Sequence, residues 1–292
     1  MLDVLCVGHT SFDVTMSVTH QPANNEKMRA EAMQLAGGGP AANASVCVAR
    51  LGGRAAFLGY LGNDVFGDLH VAELLAEGVD ASLVVRGAYD SAVSQVLAKP
   101  DGSRSVVSCR GQAPWLESGS VDWRHLEPKV VLFDGHEPLI SAEIMLWAKE
   151  KGIPTVLDAG SVHRGTRELA TQVDCLAASE RFAHDWCNTE DMAQALSELA
   201  GMAPMAMITC GENGLLWSRD GQRGHLPAFS VEVVDSTGAG DAFHGALAYG
   251  MAQNLEWNAL LRFASAVGAL TCTRLGARAS LPHRDAVDHL LG

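Results

Sequence analysis

Short β-branched runs alternate along the chain with stretches patterned for a helix, the signature of crossover units on a mostly parallel sheet. Residues 2–8 (LDVLCVG) read as a buried first strand. Residues 40–50 read as a helix, with Pro40 near its first position and Gly52 past its end, the asymmetry expected of helix starts and stops. The pattern predicts further strands at 55–61, 129–134, 155–158 and 205–210, and helices at 66–77, 140–151, 241–253 and 256–273.

Two stretches break this rhythm. Residues of about 14–35 and 91–110 read as strands with no crossover helix, and Pro100-Asp101-Gly102-Ser103 marks a hairpin turn in the second. A small antiparallel sheet inserted as a lid accounts for both, and such a lid can cover a site, exclude water and pair with a second subunit. No repeat, low-complexity tract or long linker divides the chain, so residues 1–292 are expected to form one α/β domain carrying that lid.

Composition narrows the function classes. With 292 residues, 48% of them apolar, the chain can bury an ample core without metal or disulfide staples. No segment approaches the roughly 18 unbroken apolar residues of a membrane span, and the N-terminus lacks a secretion signal, so a cytoplasmic protein off the membrane is expected. Lys and Arg number 21 against 34 Asp and Glu, a net charge of −13 that argues against a nucleic-acid partner. The seven cysteines are scattered, never spaced as Cys-x-x-Cys, and are expected to be reduced and mostly buried.

The segment from Val234 through Asp235-Ser236-Thr237-Gly238-Ala239-Gly240-Asp241 to Ala246 carries the most chemistry. A polar turn with two glycines opens directly into a helix, so unpaired N–H groups should converge there as an anion site. Gly238 and Gly240 let main chain approach a phosphate closely. Asp241 stands in the first helical turn beside that anion, either as a simple helix cap or as the base that takes a proton from an attacking hydroxyl. The helix dipole is expected to keep it ionised.

A second glycine cluster, Gly37-Gly38-Gly39-Pro40-Ala41-Ala42-Asn43, puts another flexible loop at a helix start, suited to a polyol. Its formal match to the dinucleotide fingerprint is discounted, because about thirty residues separate it from the first strand. There is no Gly-Lys-Ser/Thr phosphate loop, no Gly-x-Ser-x-Gly elbow and no His-Glu-x-x-His helix.

The two glycine segments, their order and their separation resemble the paired signatures of the PfkB, or ribokinase-like, carbohydrate kinases, collinearly over residues 4–282. The likeness is nearest to sulfofructose kinase and ketohexokinase-like members. It implies a three-layer α/β/α core with an eight- or nine-stranded sheet, a β lid that often pairs in a homodimer, and MgATP-dependent phosphorylation of a sugar hydroxyl. It further implies that Asp241 is the catalytic base, that Gly238, Ala239 and Gly240 form the anion hole, and that Asp13 with Gly38, Gly39 and Asn43 holds the sugar. Thr209, Gly211 and Gly214 resemble the nucleotide-binding turn, with Ser179 near it. Asp235, Thr237, Thr271, Arg274, Gly276 and Ser280 resemble loops that bind an activating monovalent cation such as K⁺, mostly through main-chain oxygens.

One departure concerns the Asn-x-x-Glu motif that organises Mg²⁺ in members of that family. Here the stretch reads Ser179-Glu180-Arg181-Phe182, leaving Glu180 as the available acid. For the acceptor, the members that bind a sulfonate carry an arginine just after the strand ending at Asp134. This chain has Gly135-His136-Glu137 there, which favours a neutral or differently charged sugar, with Arg110 able to compensate. His136 and Glu137 follow a strand at the rim where open α/β sheets bind ligands, or simply start the next helix. Lys27 meets the substrate or is a solvated charge beside Glu26 and Arg29. His70, His184 and His289 are expected to be surface or satisfied core residues. The leading expectation is a kinase for a primary hydroxyl of a small sugar such as a ketose; a nucleoside kinase and a catalytically silent sugar- or nucleotide-binding regulator are the alternatives.

Overall fold

A computed structural model describes residues 1–292. Along the chain run β1 (Leu2–Val7), β2 (Ser11–Ser17), β3 (Ala32–Gly38), α1 (Pro40–Arg50), β4 (Ala55–Gly62), α2 (Val65–Ala76) and β5 (Val84–Gly87). Next come β6 (Val93–Ala98), β7 (Arg104–Cys109), β8 (Pro128–Phe133), α3 (Pro138–Lys151), β9 (Thr155–Ala159), α4 (Arg164–Leu169), β10 (Cys175–Ser179), α5 (Glu180–Cys187) and α6 (Met192–Leu199). The chain closes with β11 (Met205–Thr209), β12 (Leu215–Arg219), β13 (Gln222–Leu226), α7 (Ala239–Ala252), α8 (Trp257–Thr271), α9 (Ala277–Ser280) and α10 (Arg284–Leu291).

Nine strands form one sheet in the order β13-β12-β11-β10-β9-β8-β1-β4-β5, parallel except for the edge hairpin β12–β13. Helices cover both faces, so the strands are apolar throughout and their alternation sorts side chains between two cores. Val4 and Cys6 of β1 pack with α1, α7 and α8, while Leu5 and Val7 pack with α3, α5 and α6. Every parallel strand therefore points its C-terminal end to one rim, where Asp134, Asp158, Ser179 and Thr209 stand in successive strand ends.

The smaller sheet has the order β3-β2-β6-β7, antiparallel at its flanks with β2 and β6 parallel at its centre. Its boundaries exceed the sequence expectation: Ser11 pairs with Gly38, so β3 runs through the glycine cluster to the start of α1. The β6–β7 hairpin closes at the anticipated turn, with Lys99 N–H donating to Ser103 O over 3.0 Å and Gly102 at φ 76°. The elements that hydrophobic patterning missed are mainly short, including β5, α4 and α9. The β12–β13 hairpin did have a local signal in Asp220-Gly221, both at positive φ. No helix is long and apolar enough to cross a membrane. All seven cysteines are unpaired: Cys6, Cys47, Cys175 and Cys210 are buried, and Cys109 is exposed.

Candidate active site

The segment between β13 and α7 folds as its glycines require. Gly238, at φ 80°, ends the turn and caps α7, and a Cβ there would sit 2.7 Å from the Ala277 side chain. A Cβ on Gly240 would meet nothing, because that position faces open space. The turn is cemented from below by buried Asp235, which accepts hydrogen bonds from Thr237 N (2.9 Å), Thr237 Oγ1 (2.6 Å) and Gly276 N (2.8 Å). Beside it opens a cavity of about 770 Å³ lined by Ala239 and Gly240 on one side and Thr209, Gly211 and Gly214 on the other. The lid hairpin tip at 101–103 also lines that cavity, and Arg104 Nη1 donates to Ser236 Oγ over 2.7 Å.

Asp241 sits in the first turn of α7, and Asn43 in the first turn of α1 donates from Nδ2 to its Oδ2 over 2.8 Å. The two glycine loops therefore lead into helix starts that touch at this carboxylate. Burial, followed by the nearby Asp158 carboxylate, pushes the Asp241 pKa up to about 6, opposed by the Asn43 hydrogen bond and by His244. Desolvation and a second acid outweigh the helix dipole in setting this value and leave a stronger base than an ordinary aspartate, yet one still mostly ionised near pH 7, as the dipole argument expects. Asp158 and His244 form a buried pair beneath it, with Nδ1 3.2 Å from Oδ2 and the other ring nitrogen 3.1 Å from Ala177 O. Burial lowers the His244 pKa, but Asp158 more than compensates and holds it above the usual histidine value.

On the other side of Asp241, Gly38 gives the Asp13 carboxylate its space, since a Cβ would lie 2.1 Å from Oδ2. Gly39, at φ 95°, caps α1. Asp13 accepts from Ser11 Oγ (2.6 Å), and burial raises its pKa. Buried Asp134 draws the rim together, accepting from His9 N (2.8 Å), His136 N (2.9 Å) and Ala41 N (3.2 Å). Three imidazoles cluster above it: His136 stacks on His163 at 4.4 Å and lies 5.2 Å from His9. Burial, with His136 and Arg110 adding repulsion, lowers His9 to about 3 and His163 to about 4, so both rings are neutral near pH 7.

Several expected contacts land elsewhere. Asn43, expected on the sugar, is 2% exposed and spends its amide on Asp241 and Arg278. Ser179 is absent from the cavity wall, because its hydroxyl caps α5 by accepting from Phe182 N and donates to Gly160 O. Buried Glu137 accepts from Leu116 N over 2.7 Å, pinning the segment that follows β7, and burial raises its pKa to about 7. Lys27 is exposed in the loop between β2 and β3, where Glu26 pairs with His20 instead. Arg110 is exposed just past β7, close enough to depress the pKa of His9 and His163. His70 is buried yet neither ring nitrogen is hydrogen-bonded, contrary to a satisfied core histidine, while His184 is half-buried beside Asp185 and Glu190 and His289 is exposed.

In the loops expected to hold a monovalent cation, the side chains are already engaged. Asp235 bonds as above, Thr271 Oγ1 donates to Val267 O, Ser280 Oγ donates to Ala277 O, and Arg274 is exposed. Main-chain oxygens remain: Thr271 is the last residue of α8, where carbonyls lack intrahelical partners, and Gly276 takes φ 84°. No three His, Cys, Asp or Glu side chains gather as a metal-binding group. Sequence reading missed Asp158, His9, His163, His244 and Arg278; Asp158 did carry a signal, being a polar residue at the C-terminal end of a predicted strand.

The profile of the pfkB family of carbohydrate kinases matches residues 1–284. Ribokinase of Bacillus subtilis is 25% identical over all of both chains. Fructokinase-1 of Oryza sativa subsp. japonica is 32% identical over 87% of each chain. The structure of Arabidopsis thaliana ribokinase complexed with ribose and ATP superposes with a TM-score of 0.86 and 27% identity, covering 100% of this chain and 99% of that one. The chain belongs to the PfkB family, has the ribokinase-like α/β fold, and is an ATP-dependent sugar kinase, a phosphotransferase with an alcohol acceptor.

Proposed function

We propose that this kinase transfers the γ-phosphoryl group of MgATP to a primary hydroxyl of a small sugar or sugar derivative, a ketose being the leading acceptor. The observation that carries the reading is the Asn43–Asp241 hydrogen bond, which brings the glycine loop of the acceptor side and the anion loop of the nucleotide side to one carboxylate. Nucleotide phosphates would occupy the cavity beside Ala239 and Gly240, with Thr209, Gly211 and Gly214 forming its opposite wall. The sugar would lie on the Asp13 side, against Gly38, Gly39 and the imidazole cluster, where the neutral rings of His9 and His163 suit hydroxyl groups as donors and acceptors.

In the step itself, the acceptor oxygen attacks the γ-phosphorus while its proton passes to the free Oδ1 of Asp241. The bond to the ADP oxygen breaks, and amides of Gly238 and Gly240, joined by that of Ala239 once it leaves its 3.3 Å bond to Ser236 O, stabilise the charge on the transferring group, each donor worth roughly 3 kcal/mol by analogy with other oxyanion sites. A carboxylate with pKa about 6 is mostly ionised at pH 7 and still a competent acceptor. Bound Mg²⁺ would supply charge neutralisation to the nucleotide phosphates and would need few protein ligands, with Glu180 at the start of α5 the acid available to hold it, although Glu180 does not line the cavity. K⁺ would be held by main-chain oxygens between the end of α8 and the Asp235 and Gly276 loops. We read the whole chain as one cytoplasmic kinase domain with its lid. The lid's exposed Met33, Leu35, Val106 and Val107 support pairing of two lids in a homodimer.

A coupled ADP-release panel with MgATP, with and without potassium, tests the reading. Ribose, fructose and their derivatives are expected to outpace adenosine and inosine. Faster turnover of a nucleoside, or ATP binding without ADP formation for any acceptor, would refute it.

A further inference from the structure

Arg278, in the short helix α9, is 1% exposed and lies among α1, α2 and the glycine loop. Its Nε donates to Asn43 Oδ1 over 3.3 Å, and its Nη1 is 3.3 Å from Glu73 Oε2. The same Glu73 oxygen accepts from Gly37 N over 2.5 Å. Its main chain is fixed as well, since Arg50 Nη1 donates to the carbonyls of Arg278 (2.9 Å) and Leu281 (2.8 Å). One guanidinium nitrogen, Nη2, is buried without any partner. Burying a guanidinium so incompletely paired costs stability, and an apolar side chain of similar size would fill the space at lower cost. A purely structural role leaves that cost unexplained.

The two ends of an asparagine amide have nearly the same shape; an ionised carboxylate, which only accepts, selects the nitrogen end, and a donor at the other end reinforces that choice and holds it when the carboxyl is protonated. Arginine has donors only and stays charged, so it can donate only to the oxygen end of Asn43. The amide nitrogen is then forced towards Asp241. The geometry points to Arg278 as a positioning residue for phosphoryl transfer: it fixes the Asn43 amide, Asn43 clamps Oδ2 of Asp241, and Oδ1 is left aimed at the acceptor hydroxyl. Through Glu73 and Gly37 the same guanidinium ties the acceptor loop to the base. This inference rests on Asp241 being the base.

The test is steady-state kinetics with MgATP and whichever of D-ribose and D-fructose turns over faster, on Arg278→Met, Arg278→Lys, Asn43→Ala and the Asn43→Ala/Arg278→Met pair. Arg278→Met is expected to lower kcat at least 30-fold with the KM for ATP within threefold, and Arg278→Lys, which can still donate, to recover at least fivefold of that loss. In the Asn43→Ala background the methionine should cost less than a further twofold, because the path is already cut. A kcat within threefold of wild type for Arg278→Met, or the same fold loss in both backgrounds, overturns the inference. If Arg278→Met fails to fold by circular dichroism, Glu73→Gln/Arg278→Gln, which removes both charges together, replaces it in the same cycle with the same criteria. An Asp241→Asn enzyme of undiminished kcat would instead overturn the base, whatever Arg278 does.

Discussion

The two halves of the cleft are made of different material. The half we propose for the nucleotide is main chain: a turn with Gly238 at φ 80°, the open flank of Gly240, and the Gly211–Gly214 turn facing them. The half we propose for the acceptor is side chain: Asp13 under Gly38, and His9, His136 and His163 drawn from three separate segments around buried Asp134. A phosphate is recognised by N–H groups that every residue carries, so glycine placement suffices there. A sugar is told from another sugar by where individual donors and acceptors stand, which side chains must supply. On this proposal the first half can be shared by kinases of many acceptors, and the second would carry this chain's own specificity.

The sharpest way to break that division is at the carboxylate common to both halves. Asp241→Asn should lower kcat by roughly 10²–10⁴ while thermal stability and ATP binding persist; stopped turnover with unchanged nucleotide affinity is the expected signature. Next in size, Gly238→Ala should lower kcat by about 10²-fold, since a Cβ would strain φ and press on Ala277, displacing the amides. Gly38→Ala makes the contrasting case. Its methyl group would enter the Asp13 carboxylate, so acceptor KM should rise about tenfold or more with ATP KM within threefold. If both alanines raised the same KM, the division of labour would be wrong.

Smaller effects should follow from charge. Because the base must be deprotonated and its pKa is about 6, kcat/KM should fall about tenfold per pH unit below pH 6. Asp158→Asn removes a carboxylate that raises Asp241, so this acid limb should move to lower pH. His136→Ala should produce the mildest change, a several-fold rise in acceptor KM alone, measured against an unaltered ATP KM.

Much of this was legible because it is local. The helix predicted at 40–50 begins at Pro40 and ends at Arg50 because proline, glycine and small apolar residues act over neighbouring positions. The glycine turn that opens α7 was legible in a few consecutive residues for the same reason. The pKa of Asp241 could not be read so: the helix dipole is local and favours ionisation, while burial and Asp158, 83 positions away, are not local and prevail. Asn43 was assigned to the sugar because its own loop suits a polyol, yet its amide is claimed by Arg278, 235 positions further on.

The amino-acid sequence by itself determined the strand and helix rhythm, the two glycine turns and the carboxylate at the start of α7, since each depends on backbone preferences and hydrophobic period within a few residues. Only the tertiary structure decided which groups surround that carboxylate. Bringing Arg278, Asn43, Asp158 and His244 around one buried acid takes the close packing of α1, α7 and α9 against the sheet. Out of water, each neighbour's charge and hydrogen-bond direction then acts with a strength that no sequence spacing encodes.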